Sequence, residues 1–334
     1  MNTNDSMEAL LDGDGSYVTN KRNNHQQNKL QPSNVFDICQ VTGDLAYQAM
    51  MLEAHLTPKP GLVDCDSSGA HSDMDITTFV ASSNALKPFM HQFVQRGYAS
   101  HNLCANQLLA QLRPIGIAAE QAMFAATNNV NTHKGMIFTL GVICGSIGWL
   151  AGNDRSYNVQ EIRKIIIQCC ANLVADELTE TTNVPVTAGE KLFQKYGLTG
   201  IRGEASLGYP TIFEYGLPVY LQSLSQQQSQ QQAMTHTLFS LMANNVDTNL
   251  VSRGGLQAIE LVQSESRAIL SALLNGHYDV DILLSQLEDK LVELNLSPGG
   301  SADLLAATWL LAQFTSNNPT PVTCDLALSL SVPI

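Results

Sequence analysis

The feature that most constrains this chain is the period of its apolar residues. Within 44–56, Leu45, Ala49, Leu52 and Leu56 fall on one stripe of a helix. The same three-to-four spacing returns over 78–95, 103–127, 136–150, 159–178, 187–196, 205–224, 234–244, 256–274, 279–294 and 302–314. Ala, Leu, Gln, Glu and Met fill these stretches, and all favour helix. Runs of alternating Val, Ile and Thr, the mark of a half-buried strand, are nearly absent. Thr187-Ala-Gly-Glu190 has the form of a capping box. The expectation is an all-α protein: one compact multi-helix domain over residues 35–316.

The ends of the chain read differently. Residues 1–34 are rich in Asn, Gln, Asp and Gly, and are expected to form a disordered polar tail. Residues 317–334 contain Pro319 and Pro321 and are expected to be peripheral. The run from Ser225 to Gln232 reads as a surface loop or a polar helix extension.

Charge excludes two classes of partner. The formal net charge is −13, whereas nucleic-acid binders and anionic-membrane binders are normally basic. The stretch 135–153 carries no charged side chain but contains Gly141, Gly145 and Gly148, and is expected to be a buried core helix. No apolar signal segment is visible in the first thirty residues. Seven scattered cysteines without a CxxC pair read as small buried hydrophobes in a reducing compartment. A cytoplasmic protein is expected.

The chemistry lies in the joints between the helices. Thr57-Pro-Lys59-Pro60-Gly61 mounts one lysine between two stiff residues. Gly69-Ala-His71-Ser-Asp73-Met-Asp75 offers oxygen ligands for Mg²⁺, or an N-cap for the helix that follows. Asn131-Thr132-His133-Lys134-Gly135 opens the apolar helix, where backbone N–H groups attract anions. Gly200-Ile-Arg202-Gly203-Glu204 supplies a guanidinium, able to grip phosphate with two donors. Asp247-Thr-Asn249 is followed by Arg253-Gly254-Gly255 in a turn-rich segment. Last, Leu296-Ser-Pro-Gly299-Gly300-Ser301-Ala-Asp303 brings two glycines, an expected N-cap serine and an acid in the first helical turn.

Each joint alone also has a plain structural explanation. Together they place Lys59, Lys134, Arg202 and Arg253 in Gly- or Pro-rich joints beside Asp, His or Glu. An acidic chain with only 17 Lys and Arg has little cause to do this unless an anion binds. Carboxylates next to that anion call for a divalent cation, because bare carboxylates repel phosphate. The residues themselves point to a Mg²⁺-dependent enzyme acting on a nucleotide or polyphosphate.

The same segments resemble a known family. EAHLTPKPGLVD (53–64), GAHSDMD (69–75), NTHKG (131–135), RGEASLGYP (202–210), DTNLVSRGG (247–255) and LSPGGSADLLA (296–306) are similar, in this order, to the triphosphoribosyl-dephospho-CoA synthases. Tyr209 stands where many members have Phe. The resemblance implies an all-helical transferase with ATP and 3′-dephospho-CoA as substrates. It would join the triphosphoribosyl group of ATP to the ribose 2′-hydroxyl of 3′-dephospho-CoA and release adenine. The product is the precursor of the prosthetic group of the citrate lyase or malonate decarboxylase acyl carrier protein, passed on by a carrier-protein prosthetic-group transferase.

Under that reaction the candidates fall into three groups. Lys59, His71, Lys134, Arg202, Arg253, Gly299, Gly300 and Ser301 are expected to hold phosphates. Asp73, Asp75, Asp247 and Asp303 are candidate Mg²⁺ ligands. Glu53, Asp64, His133 and Glu204 are candidates for acid, base or stabiliser of an oxocarbenium-like transition state. Two other readings stay open at this point: an all-α, Mg²⁺-dependent glycohydrolase of ADP-ribose-type linkages, and a non-catalytic helical module that binds a nucleotide or carrier protein. A homodimer is compatible with all three.

Overall fold

In the computed structural model, residues 35–179, 187–276 and 279–315 are described. The expected tail at 1–34, the end segment at 317–334 and Cys324 lie outside the described residues. Among the described residues there are thirteen α-helices and no strands. They are α1 (Val35–His55), α2 (Ile76–Ala99), α3 (Leu108–Ala126), α4 (Lys134–Gly152), α5 (Val159–Cys170), α6 (Ala188–Tyr196) and α7 (Gly200–Ser206). Then follow α8 (Leu217–Ser225), α9 (Gln230–Asn244), α10 (Thr248–Gly254), α11 (Leu256–Asn275), α12 (Val280–Glu293) and α13 (Gly299–Ala312).

Three helices are apolar nearly all round and form the centre, as a helix without a polar face must. They are α4, α9 and α13, and α13 packs against both of the others. The helix α4 is long and apolar enough to cross a membrane by length and composition, yet 78% of that window is buried inside the protein. Its neighbours α1, α2, α3, α5 and α13 cover it. The outer helices carry a single stripe instead. In α11 the buried residues Ala258, Val262, Ser266, Ile269 and Ala272 recur every three or four positions.

The tightest crossing lies between α2 and α4. A β-carbon on Gly148 would lie 2.1 Å from the Val94 carbonyl oxygen, and one on Gly97 would lie 2.0 Å from that of Gly145. The two backbones therefore touch directly, which only glycine permits.

Several expectations are corrected by the fold. The stretch 205–224 is not one helix: Gly208 and Tyr209 have φ of 71° and 54°, and Pro210 follows. The segments 200–206 and 248–254, read as loops, are the short helices α7 and α10. Ser301 is not an N-cap, because α13 already begins at Gly299 after Pro298. Of the cysteines expected to be buried, Cys65 and Cys104 are exposed, whereas Cys39, Cys144, Cys169 and Cys170 are buried. The capping box is present: Thr187 accepts from the Glu190 N–H, and Glu190 reaches back to the Thr187 N–H. Ser229 and Gln232 form another at the start of α9, so the Gln-rich run is a turn and a helix opening.

Candidate active site

The last turn of α1, the loop after it and the first turns of α4, α10 and α13 meet at one place. Glu53 and Lys59 are each 1% exposed, and the Lys59 Nζ donates to Glu53 Oε1 at 2.5 Å and to the Glu53 carbonyl at 2.6 Å. Asp64 folds the loop around this pair. Its carboxylate accepts the N–H groups of Lys59, Asp66 and Ser67 at 2.8–2.9 Å. From α12, Glu288 accepts the Gly61 N–H at 2.6 Å and the Ser67 hydroxyl at 2.7 Å, which fixes the rest of the loop. A cavity of about 290 Å³ opens beside the loop, walled by Pro58, Lys59, Pro60, Asp64 and Glu288 among others.

His133 is buried immediately before α4, within the field of Lys59. Thr132 donates to the Ser82 hydroxyl at 2.7 Å, and Ser82 lies 2.7 Å from His133 Nδ1. Ser82 and Thr132 thus hold the Nδ1 side of the ring. The Nε2 atom is buried and has no partner among the described residues. Burial, and secondarily the Lys59 charge, hold the His133 pKa down to about 3. The imidazole is therefore neutral at physiological pH and a poor base.

Asp247 is the N-cap of α10. One oxygen accepts the Asn249 N–H and the other the Ser301 N–H, both at 2.9 Å. Burial raises its pKa while these donors pull it down. Asp303, one turn into α13, differs: no donor reaches it among the described residues. Its Oδ2 would lie 2.1 Å from a β-carbon on Gly135, so it is seated against the amino end of α4. Burial raises its pKa well above the carboxylate range, and the charges of Glu53 and Asp247 raise it further. Glu53 Oε2 is likewise buried without a partner. The junction thus contains four carboxylates, one ammonium, and two buried polar atoms without a partner, Glu53 Oε2 and His133 Nε2; Asp303 is partly exposed and has no protein donor among the described residues.

A second cluster flanks this one. Arg253 donates to the Ala70 carbonyl at 2.9 Å, to Asn295 Oδ1 at 3.1 Å and lies 3.3 Å from His71 Nδ1. His71 Nε2 lies 3.0 Å from the Ser297 hydroxyl, two residues before α13. Burial and the Arg253 charge lower the His71 pKa. Arg253 and His71 therefore tie the 69–75 loop to the approach of α13.

Five of the six sequence joints converge, while the sixth, 200–204, lines a neighbouring cleft, and the expected four-cation clamp is not what they assemble. Only Lys59 reaches the Asp303 cluster, and it is neutralised by Glu53. Lys134 is half exposed and pairs with Glu120 at 2.9 Å. Arg202 pairs with Glu177 at 2.7 Å, and Glu177 also binds Arg113. Nor do the four aspartates form one ligand ring. Asp75 is the N-cap of α2, accepting from Thr77 and from the N–H and hydroxyl of Thr78, and these bonds lower its pKa to about 2. Asp73 is exposed, 3.7 Å from His71. Among the described residues no three His, Cys, Asp or Glu side chains come close enough to ring an ion. Gly299 and Gly300 leave room for neighbours: β-carbons there would lie 3.1 Å from Asn249 Nδ2 and 2.9 Å from Asp247 Oδ1.

Comparison with known proteins identifies the family. The family model described as "ATP:dephospho-CoA triphosphoribosyl transferase" matches residues 39–321. This chain belongs to that family. It is 52% identical over 280 residues to a Vibrio cholerae protein named "Probable 2-(5''-triphosphoribosyl)-3'-dephosphocoenzyme-A synthase", covering 84% of this chain and 90% of the relative. A Photobacterium profundum protein with the same printed name is 47% identical over 283 residues, covering 85% and 90%. The Pectobacterium atrosepticum 2-(5''-triphosphoribosyl)-3'-dephosphocoenzyme-A synthase is 43% identical over 266 residues, covering 80% and 86%. No solved structure matches.

For a member of this transferase family, Ser82, Thr132, Asn245 and Glu288 are further site-building residues that the sequence motifs do not single out, apart from Thr132. Ser82 and Glu288 lie within helices and look like ordinary polar positions there. Only the chain's closure puts Ser82 beside His133 and Glu288 beside Gly61.

Proposed function

We propose that this chain transfers the 5-triphosphoribosyl group of ATP to the 2′-hydroxyl of 3′-dephospho-CoA, releasing adenine, at the junction of α1, α4, α10 and α13. The observation that carries this reading is Asp303: a carboxylate with no donor, set against two more carboxylates at the mouth of two helices. Such a group destabilises the empty protein and is tolerable where it meets positive charge in function.

The reaction supplies positive charge in two forms. Displacement at C1 of the ribose passes through an oxocarbenium-like transition state, which a fixed carboxylate stabilises. The triphosphate arrives with a divalent cation in solution. Asp303 and the free Oε2 of Glu53 are hard oxygen donors that suit Mg²⁺. An ion held by one or two carboxylates and completed by substrate phosphates and water needs no ring of three. When bound, Mg²⁺ would neutralise phosphate charge. In the tautomer that carries its proton on Nε2, His133 would donate to a phosphate oxygen, aided by the amino end of α4. Lys59 holds Glu53 in position rather than gripping phosphate itself.

The product is a precursor that a second transferase would attach to an acyl carrier protein.

Mass analysis of products from ATP, dephospho-CoA and MgCl₂ tests the reading. The expected result is an adduct carrying all three ATP phosphates, with adenine formed only when dephospho-CoA is present. Adenine released without the acceptor, or no adduct, would refute it. Gly135→Ala localises the site: a methyl group there displaces the Asp303 carboxylate but touches no core side chain. Turnover should fall at least tenfold while the melting temperature stays within about 2 °C.

A further inference from the structure

Beside the junction lies a separate cleft of about 260 Å³, lined by residues 197–200, 203–204, 207, 211 and 244–246. Typical small-ligand sites measure roughly 300–1,000 Å³. This cleft is therefore sized for one heterocycle rather than a whole nucleotide. Beside it, the side chains of Thr199 and Thr248 pack directly against two glycines of α7. A β-carbon on Gly203 would lie 1.9 Å from Thr199 Oγ1, and one on Gly200 would lie 3.0 Å from Thr248.

Three groups in the cleft have hydrogen-bonding chemistry. Glu204 is held by the Thr211 hydroxyl at 2.7 Å and the Thr211 N–H at 3.2 Å. Asn244 donates Nδ2 to the Ser240 carbonyl of its own helix, which leaves its Oδ1 for a ligand's N–H. Asn245 donates Nδ2 to Ser301 Oγ at 3.1 Å, and the Ser301 N–H binds Asp247. One amide thus separates the cleft from the catalytic junction. An amide and a carboxyl lining one cleft suit a purine edge, which presents both donors and acceptors.

We infer that this cleft takes the adenine ring of ATP, and that Glu204 is the acid that protonates it as it leaves. The inference rests on the transferase reading above. In the step, the bond between C1 and the adenine nitrogen breaks and its electron pair goes to the ring. Glu204 donates a proton to a ring nitrogen, and the acceptor's 2′-oxygen bonds to C1. The acceptor's hydroxyl proton passes to solvent, and Glu204 is reprotonated from solvent. Atoms and charge balance as adenine plus adduct.

The surroundings of Glu204 suit an acid. Burial raises its pKa, the two Thr211 bonds lower it, Glu214 raises it and Arg163 lowers it, with a net upward shift.

A leaving group that needs no proton tests the role. In 7-methyl-ATP the base already carries the positive charge and departs neutral. Glu204→Gln is expected to lower kcat with ATP at least 100-fold, and to stay within threefold of wild type with 7-methyl-ATP. An equal loss with both substrates would overturn the acid assignment. Free adenine is expected to compete with ATP and not with dephospho-CoA, and Asn244→Leu to weaken that inhibition at least tenfold. Competition against dephospho-CoA instead would put the acceptor's adenine in the cleft and overturn the inference. Adduct formation by the wild type, measured in the same assays, separates the two claims: its absence would remove the transferase reading itself, and the inference with it.

Discussion

Asp303 and His133 show how one residue's environment sets two different pH responses. The Asp303 carboxyl is raised above its ordinary range, so the folded protein keeps a proton that the unfolded chain has lost. Stability from this residue is full at acid pH and falls as pH rises through the ordinary carboxylate pKa towards the raised one. Asp303→Asn removes the penalty. At pH 7 without ligands the variant should be more stable by roughly 1–2 kcal/mol, about 2–8 °C in Tm at 2–4 °C per kcal/mol, while transferase activity is lost. A lower Tm would show that the carboxylate is satisfied. His133 works in the opposite sense. Its folded pKa is held down to about 3, so the unfolded state binds a proton first as pH falls through the ordinary histidine value. Stability is full at neutral pH and lost between about 6.5 and 3. Between pH 7 and pH 5 this residue should withdraw about 2 kcal/mol, at about 1.4 kcal/mol per pH unit. Denaturant titrations should show a flatter pH dependence in His133→Gln, and an unchanged slope would mean that His133 is charged in the fold.

At the scale of helices, the α2–α4 crossing makes a sharp prediction. Gly148→Ala should gain about 1 kcal/mol in helix propensity. The new methyl would meet the Val94 carbonyl at 2.1 Å, a contact that backbone cannot relieve without separating the helices. Overpacking typically costs about 1–3 kcal/mol, so the net change should be destabilising by up to about 2 kcal/mol, read as a lower midpoint in urea. The same scale decides what could be read from the sequence. A long one-striped helix such as α11 repeats its period several times and was legible, and α4 was legible from its uncharged run. The seven-residue helices α7 and α10 are too short to show one, and so looked like loops. The break at 208–210 was readable in principle, because Pro210 disfavours helix at the residue before it. The meeting of five joints was legible as a cluster of motifs; that the sixth lines a cleft of its own was not. The partners of their cations were not. Glu120 and Glu177 lie far from any motif, yet they hold Lys134 and Arg202. Charge in a joint says that something is bound there; it does not distinguish a ligand from a carboxylate elsewhere in the chain.

Taken whole, the protein has a net charge of −13 and a site whose carboxylates outnumber its cations, while its proposed donor substrate is a polyanion. Positive charge entering with the substrate eases these repulsions, since Lys59, Lys134 and Arg202 are each committed to a carboxylate and Arg253 is tied to the Ala70 carbonyl and Asn295. ATP and Mg²⁺ should therefore stabilise the protein together much more than either does alone. At 100 times its dissociation constant, a ligand that binds only the folded state adds about 2.7 kcal/mol, or roughly 5–11 °C in Tm at 2–4 °C per kcal/mol. Thermal shifts with ATP, MgCl₂ and both should show that synergy in the wild type. In Asp303→Asn the shift caused by ATP should depend far less on Mg²⁺, because the carboxylate that welcomes the cation is gone. If ATP alone produced the full shift in the wild type, the unsatisfied carboxylates would be facing the ribosyl cation and not a metal. The Asp303→Asn loss of turnover would then persist without any loss of ATP binding.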